Sequence, residues 1–461
     1  MAALDELLAS AAQLVAAQRA SFETGPVNAS SSLEELRVAL SLPTPEVPTD
    51  DAAVIDELAT AAAGGLVGIP GPRYFGFVIG GSHPAALAAD WLTSGWDNNA
   101  GLYAAAPAAS VIEEVAGRWV VDLLGLPPGS SVGFATGATM ASFTGLAAAR
   151  NRVYADAGWD VERDGLRGAP PVRVIVGEER HTTIDVALRY LGFGAGVAEA
   201  LPVDAQGRIR ADALVATLAG GAAVPAIVCV QAGNVNTGAF DPIREICDAT
   251  HAHGGWVHVD GAFGLWAAAV DELRHLLDGV DRADSWSTDA HKWLNVPYDC
   301  GIVVCRDVEA HRASMTTQAS YLVQGGAGAP IDPFDYVPEF SRRARGIPVY
   351  AVIRALGRAG IAERISHNCA MARRFADRLG TESGIEILND VVLNQVLVRF
   401  GDSDERTRAV IGAVQRDGTC WLGGTVWHGV AAMRISVSNW TTTEADVDAS
   451  VDAIRRLFKG V

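Results

Sequence analysis

Three polar positions in otherwise apolar surroundings raise the question of chemistry. Lys292 lies in "STDAHKWLNVP" (287–297), between His291 and Trp293 and just ahead of an apolar run that resumes at Val296. This placement predicts a lysine led into the interior. Asp260 stands near the end of "WVHVDGAF" (256–263), followed by the small residues Gly261 and Ala262. The stretch "GFATGATMASFTGLAAAR" (133–150) reads as a turn through Gly137, Ala138 and Thr139 that opens a helix. An amine in a low-polarity setting becomes a nucleophile toward carbonyls. A buried carboxylate can keep a ring nitrogen protonated and so turn the ring into an electron sink. Amides and hydroxyls at a helix start can hold an anion.

Other chemistries compete for the same residues. In "HAHGGWVHVDGAFG", the side chains of His251, His253, His258 and Asp260 are all metal-ligand types and would suit a metal-dependent hydrolase. However, His251 and His253 fall at the end of a predicted helix, before the Gly254-Gly255 break. His258 and Asp260 alternate with Val257 and Val259 and share one strand face. No G-x-x-x-x-G-K-[ST] motif occurs, and no G-x-G-x-x-G stands in a strand–helix context. Lysine, aspartate and helix start together describe pyridoxal 5'-phosphate better than a metal or a nucleotide, and no metal is expected. The 32 residues from Asp260 to Lys292 suit neighbouring strands of one sheet.

The elements that must position these groups follow from periodicity. Short, nearly all-apolar runs at 172–177, 226–233, 256–263 and 301–306 alternate with helical segments, which predicts an α/β fold with a parallel sheet covered on both faces. Leu4, Leu7, Leu8, Ala11, Leu14 and Val15 form one stripe of an N-terminal helix, and "LPTPEVPTDD" breaks the chain after a second short helix. The C-terminal part reads as helices at about 347–380, strand-like "VLNQVLVRF", helical "TRAVIGAVQ", strand-like "AAMRISVSN" and a last helix opened by Thr441 and Glu444 in capping-box spacing. The expected division is an N-terminal helical arm (1–65), a large cofactor-binding domain (66–340) and a small α+β domain (341–461).

Composition limits the partners. The 461 residues are 49 % apolar and carry a net charge of −18 without a basic tract, which excludes nucleic acid as an expected partner. "MAALDELLAS" lacks the features of a secretory signal, and no run approaches the ~18 apolar residues of a membrane span. Cys229, Cys247, Cys300, Cys305, Cys369 and Cys420 form no C-x-x-C pair, as expected of free thiols in a reducing cytoplasm.

Over residues 66 to 459 the chain resembles the pyridoxal-phosphate-dependent amino acid decarboxylases of the glutamate and aromatic-L-amino-acid type, which share fold type I, the aspartate aminotransferase-like fold. The resemblance rests on "LAADWLTS" (87–94), "HVDGAFG" (258–264), "DAHKW" (289–293), "ASYLVQ" (319–324) and "MRISVSN" (433–439), in the family's order. It implies that Lys292 links to the cofactor, Asp260 pairs with the pyridine nitrogen, Ala262 packs under the ring and His181, in "ERHTTIDVAL", stacks over it. Ala138, Thr139 and His291 match positions at the phosphate. Asn234, in "AGNVNTGAFD", stands near the phenolic oxygen where the family usually has threonine, and Asp289 where asparagine is common.

The resemblance also gives Arg434 the substrate carboxylate and Tyr336, in "DPFDYVPE", the proton returned to the α-carbon, with Tyr321 as the other candidate. It implies a homodimer with the active site at the subunit interface, entered by "TSGWDNNAGLY" (93–103) of the other subunit. The expected reaction is α-decarboxylation of an L-amino acid, aromatic or acidic, to the amine and carbon dioxide. Aldolases, other carbon–carbon lyases and transaminases use the same lysine and aspartate. Tyr74, Phe75, Phe77 and Tyr103 suggest an aromatic-tolerant pocket.

Overall fold

A computed structural model describes residues 4–194, 196–221, 224–317 and 330–461. The chain forms two compact units. One gathers Met1–Gly81, Met371–Leu388 and Val396–Val461; the other comprises Ser82–Ala370 and Asn389–Gln395. The N-terminal helices thus share a unit with the C-terminal elements.

The second unit is built on a seven-stranded sheet: β1 (Ser131–Ala135), β2 (Arg173–Gly177), β3 (Glu199–Leu201), β4 (Ala226–Gln231), β5 (Trp256–Asp260), β6 (Ser285–Asp289) and β7 (Gly301–Cys305), in the order β1-β7-β6-β5-β4-β2-β3. The four apolar runs read from the sequence are β2, β4, β5 and β7. The pairs from β3 through to β6 are parallel, but β7 runs antiparallel to both β6 and β1, so the sheet is mostly rather than wholly parallel. With short polar or mixed sequences, β1, β3 and β6 escape the apolar pattern. Strand β6, "SWSTD", is buried at all five positions. It tolerates this because its hydroxyls are partnered: Ser285 Oγ receives Trp256 Nε1 at 2.9 Å, and Ser287 Oγ lies 2.9 Å from Ser142 Oγ.

The helix Ala138–Asp156 lies along this sheet with a face of small residues. Ala141, Ala147, Ala148 and Ala149 are buried there, and a Cβ at Gly145 would come within 2.9 Å of the His258 ring. That close approach brings the helix start to the ends of β1 and β6.

The first unit holds the helices Leu4–Thr24, Leu33–Leu40 and Asp51–Ala63 and a four-stranded sheet of β8 (Ile385–Ile387), β9 (Gln395–Phe400), β10 (Gly423–Trp427) and β11 (Val430–Ser436), in the order β10-β11-β9-β8. Its last helix, Glu444–Gly460, is capped by a box of Thr443 and Asp446 rather than Thr441 and Glu444. Thr441 instead donates its amide to Asn439 Oδ1 at 2.9 Å, which leaves Thr443 as the capping hydroxyl. No helix among the described residues is long and apolar enough to cross a membrane.

Candidate active site

Beyond β6 the chain turns sharply, and its apolar residues fix the turn. Trp293 and Leu294 are buried, with the Trp293 ring edge-on to Phe263 at 6.2 Å. Asn295 takes a left-handed φ of 55°, which asparagine tolerates, and its amide and Nδ2 both donate to the Lys292 carbonyl at 3.3 and 2.9 Å. Lys292 is therefore held by its backbone and neighbours, while its side chain stays 20 % exposed. The lysine is thus led inward among buried anchors, and its amine meets the buried Asp289.

That amine lies 2.8 Å from Asp289 Oδ2. The other carboxylate oxygen of Asp289 accepts the Ala138 amide at 2.6 Å, at the first residue of the long helix. A buried aspartate thus ties the lysine to the helix start. Gly301, opposite Asp289 in β7, permits the contact, since a Cβ there would lie 2.3 Å from the Gly137 carbonyl carbon. Asp260 ends the next strand, buried, with Ala262 donating its amide to Oδ1 at 3.2 Å. Burial raises the Asp260 pKa, opposed first by the nearby charge of His181, then by Lys292 and the Ala262 amide, while Asp289 adds to the rise. A protonated ring nitrogen would add a cation beside this buried carboxylate.

His181 caps the helix Thr182–Tyr190, with Nδ1 2.8 Å from Thr183 Oγ1. Just upstream, the Glu179 carbonyl accepts from both Gln231 Nε2 at 3.0 Å and Asn234 Nδ2 at 3.1 Å. The oxygen of the Asn234 amide receives the backbone amides of Asn236 and Thr237. Asn234 thus holds the turns that carry His181 and the 234–239 loop. His291 accepts the Cys300 amide on Nδ1 at 3.2 Å and turns Nε2 toward Asp289, 3.6 Å away; burial lowers its pKa. Thr139 and Ala262 are half-buried beside these groups in sequence.

The structure does not bring Tyr336 to this cluster. Its ring packs edge-on against His311, and its carbonyl accepts from His311 Nε2 at 3.0 Å. His311 Nδ1 is 2.8 Å from Ser131 Oγ, and Ser131 pairs with Cys305, whereas Asp289 pairs with Gly301 at the opposite end of β7. Five-residue strands separate those ends by ~13 Å. Tyr321 and the whole of "ASYLVQ" lie outside the described residues. Arg434 belongs to the first unit, on β11 opposite Gly423, where burial lowers its pKa. The metal-type residues are dispersed: His251 Nε2 is 2.8 Å from Asp284, His253 bonds the Ala249 carbonyl, and His258 Nδ1 is 2.9 Å from Ser285. Among the described residues no group of three or more His, Cys, Asp and Glu converges.

Sequence reasoning missed Asp289 as the hub, although its position three residues before Lys292 was visible. A second unused signal is the scarcity of lysine: of 36 Lys and Arg residues only Lys292 and Lys459 are lysine. Also unforeseen was the buried pair of Arg342 and Glu113, whose guanidinium reaches the Phe134 carbonyl at 2.8 Å and so holds the end of β1.

The conserved domain of pyridoxal-dependent decarboxylases matches residues 34–400. Tryptophan decarboxylase 1 of Oryza sativa subsp. japonica is 29 % identical, over 92 % of this chain and 86 % of its own. Human cysteine sulfinic acid decarboxylase is 27 % identical over 84 % and 82 %, and the aromatic-L-amino-acid decarboxylase of Bacillus atrophaeus 26 % identical over 91 % and 88 %. The crystal structure of Oryza sativa TDC with PLP and tryptamine superposes with a TM-score of 0.92 at 25 % identity, covering 99 % of this chain and 98 % of that one. Mouse CSAD, at 24 % identity, has the same fold, with a TM-score of 0.91 over 98 % of both chains. A lysine amine, a buried carboxylate and a helix start tied to the lysine through Asp289 fit pyridoxal 5'-phosphate, and with these comparisons the chain belongs to the pyridoxal-dependent decarboxylase family, as a carboxy-lyase of fold type I that uses this cofactor on amino acids.

Proposed function

We propose that this chain removes the α-carboxylate of an L-amino acid with an aromatic or acidic side chain, and that Lys292, Asp260 and the helix start at Ala138 form the cofactor site. The observation that carries the reading is the single group of Lys292, Asp289, Asp260 and Ala138 at the ends of β5 and β6. When bound, the cofactor supplies an electron sink for the carbon that loses carbon dioxide. The residues do the rest. Lys292 holds the cofactor through Nζ, and Asp260 keeps a proton on the ring nitrogen. His181 and Ala262 set the plane of the ring, Ala138, Thr139 and His291 meet the phosphate, and Asn234 acts by fixing the loops around His181.

Arg434 is assigned the substrate carboxylate on the resemblance of "MRISVSN", since a guanidinium offers a two-pronged match to carboxylate. The proton returned to the α-carbon falls to Tyr321 rather than Tyr336. Of the two substrate classes, a net charge of −18 favours the aromatic one, because a strongly acidic protein repels an acidic substrate at long range. The same resemblance supports a homodimer with "TSGWDNNAGLY" entering the other subunit's site, and the six cysteines without a C-x-x-C pair support a reducing cytoplasm. A fully active monomer in sedimentation would refute the dimer.

The test is release of carbon dioxide, with identification of the amine, across the twenty amino acids. Aromatic substrates should give the fastest release. Loaded enzyme that releases carbon dioxide from none of them, while exchanging amino groups or cleaving a side chain, would overturn the assignment.

A further inference from the structure

Asp289 makes two contacts that pull on opposite ends of the cofactor site. One oxygen takes the Ala138 amide at 2.6 Å, the first amide of the helix that faces the phosphate. The other takes the Lys292 amine at 2.8 Å. The side chain is only 3 % exposed, so water screens neither contact. His291 Nε2, at 3.6 Å, is too far to hydrogen-bond to it and acts on it through charge alone, as does the buried Asp260 carboxylate. Asp289 thus puts a carboxylate where the phosphate would seek its amide donor and engages the nitrogen that must link to the cofactor.

We propose that Asp289 is a built-in competitor for the cofactor's phosphate. In the cofactor-free chain its carboxylate closes the Ala138 amide and pairs with Lys292. A phosphate arriving at the helix start displaces it, and that displacement releases the amine. Phosphate binding and the covalent link are thereby coupled through one side chain, so that a ring without a phosphate meets an engaged lysine. The proposal rests on the assignment of the cofactor site to Lys292 and Ala138.

The test uses the full cofactor-free chain, two non-reactive probes and the variant Asp289→Asn, which keeps the shape and an oxygen for Ala138 but loses the charge. Pyridoxine 5'-phosphate carries the phosphate without an aldehyde; pyridoxine lacks both. The variant should bind pyridoxine 5'-phosphate at least tenfold more tightly than the parent chain, with pyridoxine unchanged. Equal affinities for the phosphate probe, or the same gain for both probes, overturn the proposal.

A measurement on the parent chain stands even if the variant fails to fold. With ¹⁵N-lysine labelling only Lys292 and Lys459 report. Saturation with pyridoxine 5'-phosphate should shift the Lys292 Nζ signal and pyridoxine should not; no shift overturns the proposal. Borohydride trapping of pyridoxal 5'-phosphate separates the two failures. Trapping on Lys459 defeats the site assignment and this proposal with it. Trapping on Lys292 with no effect of Asp289 defeats the proposal alone.

Discussion

The two ends of β7 each carry a buried polar cluster, and the clusters differ in kind. At Cys305, His311 sits between the Ser131 hydroxyl and the Tyr336 carbonyl, both ring nitrogens used, with burial lowering its pKa to about 4. The imidazole is neutral and its hydrogen bonds close on themselves, while the neighbouring Arg312 and Asp335 form an ion pair of one cation for one carboxylate. At Gly301, Asp289, Lys292 and Asp260 crowd together with two carboxylates for one lysine, and burial raises Asp260. A neutral, completed network costs little and fixes elements, whereas a cluster with charge left to satisfy is unstable unless something binds. The difference marks one end as scaffold and the other as site.

The largest expected effect comes from removing the charge that makes the Gly301 end reactive. Lys292→Ala should lower turnover by about three orders of magnitude or more, since covalent catalysis is lost. It should also abolish the yellow absorbance that borohydride removes from the loaded enzyme. Thermal stability should hold, because Trp293, Leu294 and Asn295 fix the turn. Retained turnover with retained colour would end the distinction between the two clusters. Asp260→Asn comes next, with a loss of about a hundredfold and cofactor still bound, because an amide cannot hold the ring nitrogen protonated. Steady-state rates and a cofactor titration on one preparation decide it.

The legibility of the two ends differed for a physical reason. Apolar strands announce themselves, so β2, β4, β5 and β7 were plain, and Asp260 could be placed at a strand end. Strand β6 was hidden because serine and threonine fill interior positions whose hydrogen bonds come from Trp256 and from Ser142 of a helix far away in sequence. Without β6, the contact of Asp289 with Ala138 across 151 residues had no visible basis. The antiparallel sense of β7 is set by pairing and leaves no trace in its composition. The place of Tyr336 was hidden for a related reason: proximity in sequence to a family motif says nothing about which end of a strand a ring lies against.

A smaller effect distinguishes the neutral end by pH. Burial lowers the pKa of His311 to about 4 and that of His258 to about 3, while burial raises Asp241 to about 7 against two backbone amides that favour its charge. An unfolded histidine takes up its proton near pH ~6.5. Between that value and ~4 the unfolded chain binds more protons at the two histidines, so each removes stability as pH falls. Asp241 acts in the opposite sense, keeping in the fold a proton that the unfolded carboxyl has lost above pH ~4, so its contribution grows as pH falls. His83 and His291, also lowered by burial, act with the two histidines, and Asp260, also raised by burial, acts with Asp241, so the histidines outnumber the aspartates and stability falls as pH falls over this window. His311→Gln should reduce that slope by about 1 kcal/mol per pH unit in urea unfolding measured from pH 6.5 to 4. An unchanged slope would mean that His311 is not neutral in the fold.

The smallest expected effect is at Tyr336, and it tests the assignment of ends most sharply. A phenol that returns a proton to the α-carbon must reach the atoms above Lys292. The Tyr336 ring lies against His311 beside Ser131, and a Cβ at Gly133 would come within 2.3 Å of its carbonyl, so the backbone there is pinned to β1. Burial raises the Tyr336 pKa, and the neighbouring Asp335 adds to the rise. Tyr336→Phe keeps the ring and its edge contact with His311 and loses only the hydroxyl. Turnover should stay within about twofold and stability within about 0.5 kcal/mol, as for a substitution that leaves packing intact. Tyr321→Phe, by contrast, should slow amine formation and divert the reaction to an aldehyde with oxygen uptake, because the carbon that has lost carbon dioxide then waits for its proton. An oxygen electrode run beside amine analysis separates the two tyrosines. Oxygen uptake by the Tyr336 variant would place its phenol at the reacting carbon after all, and with it would join the two ends of the sheet in one site.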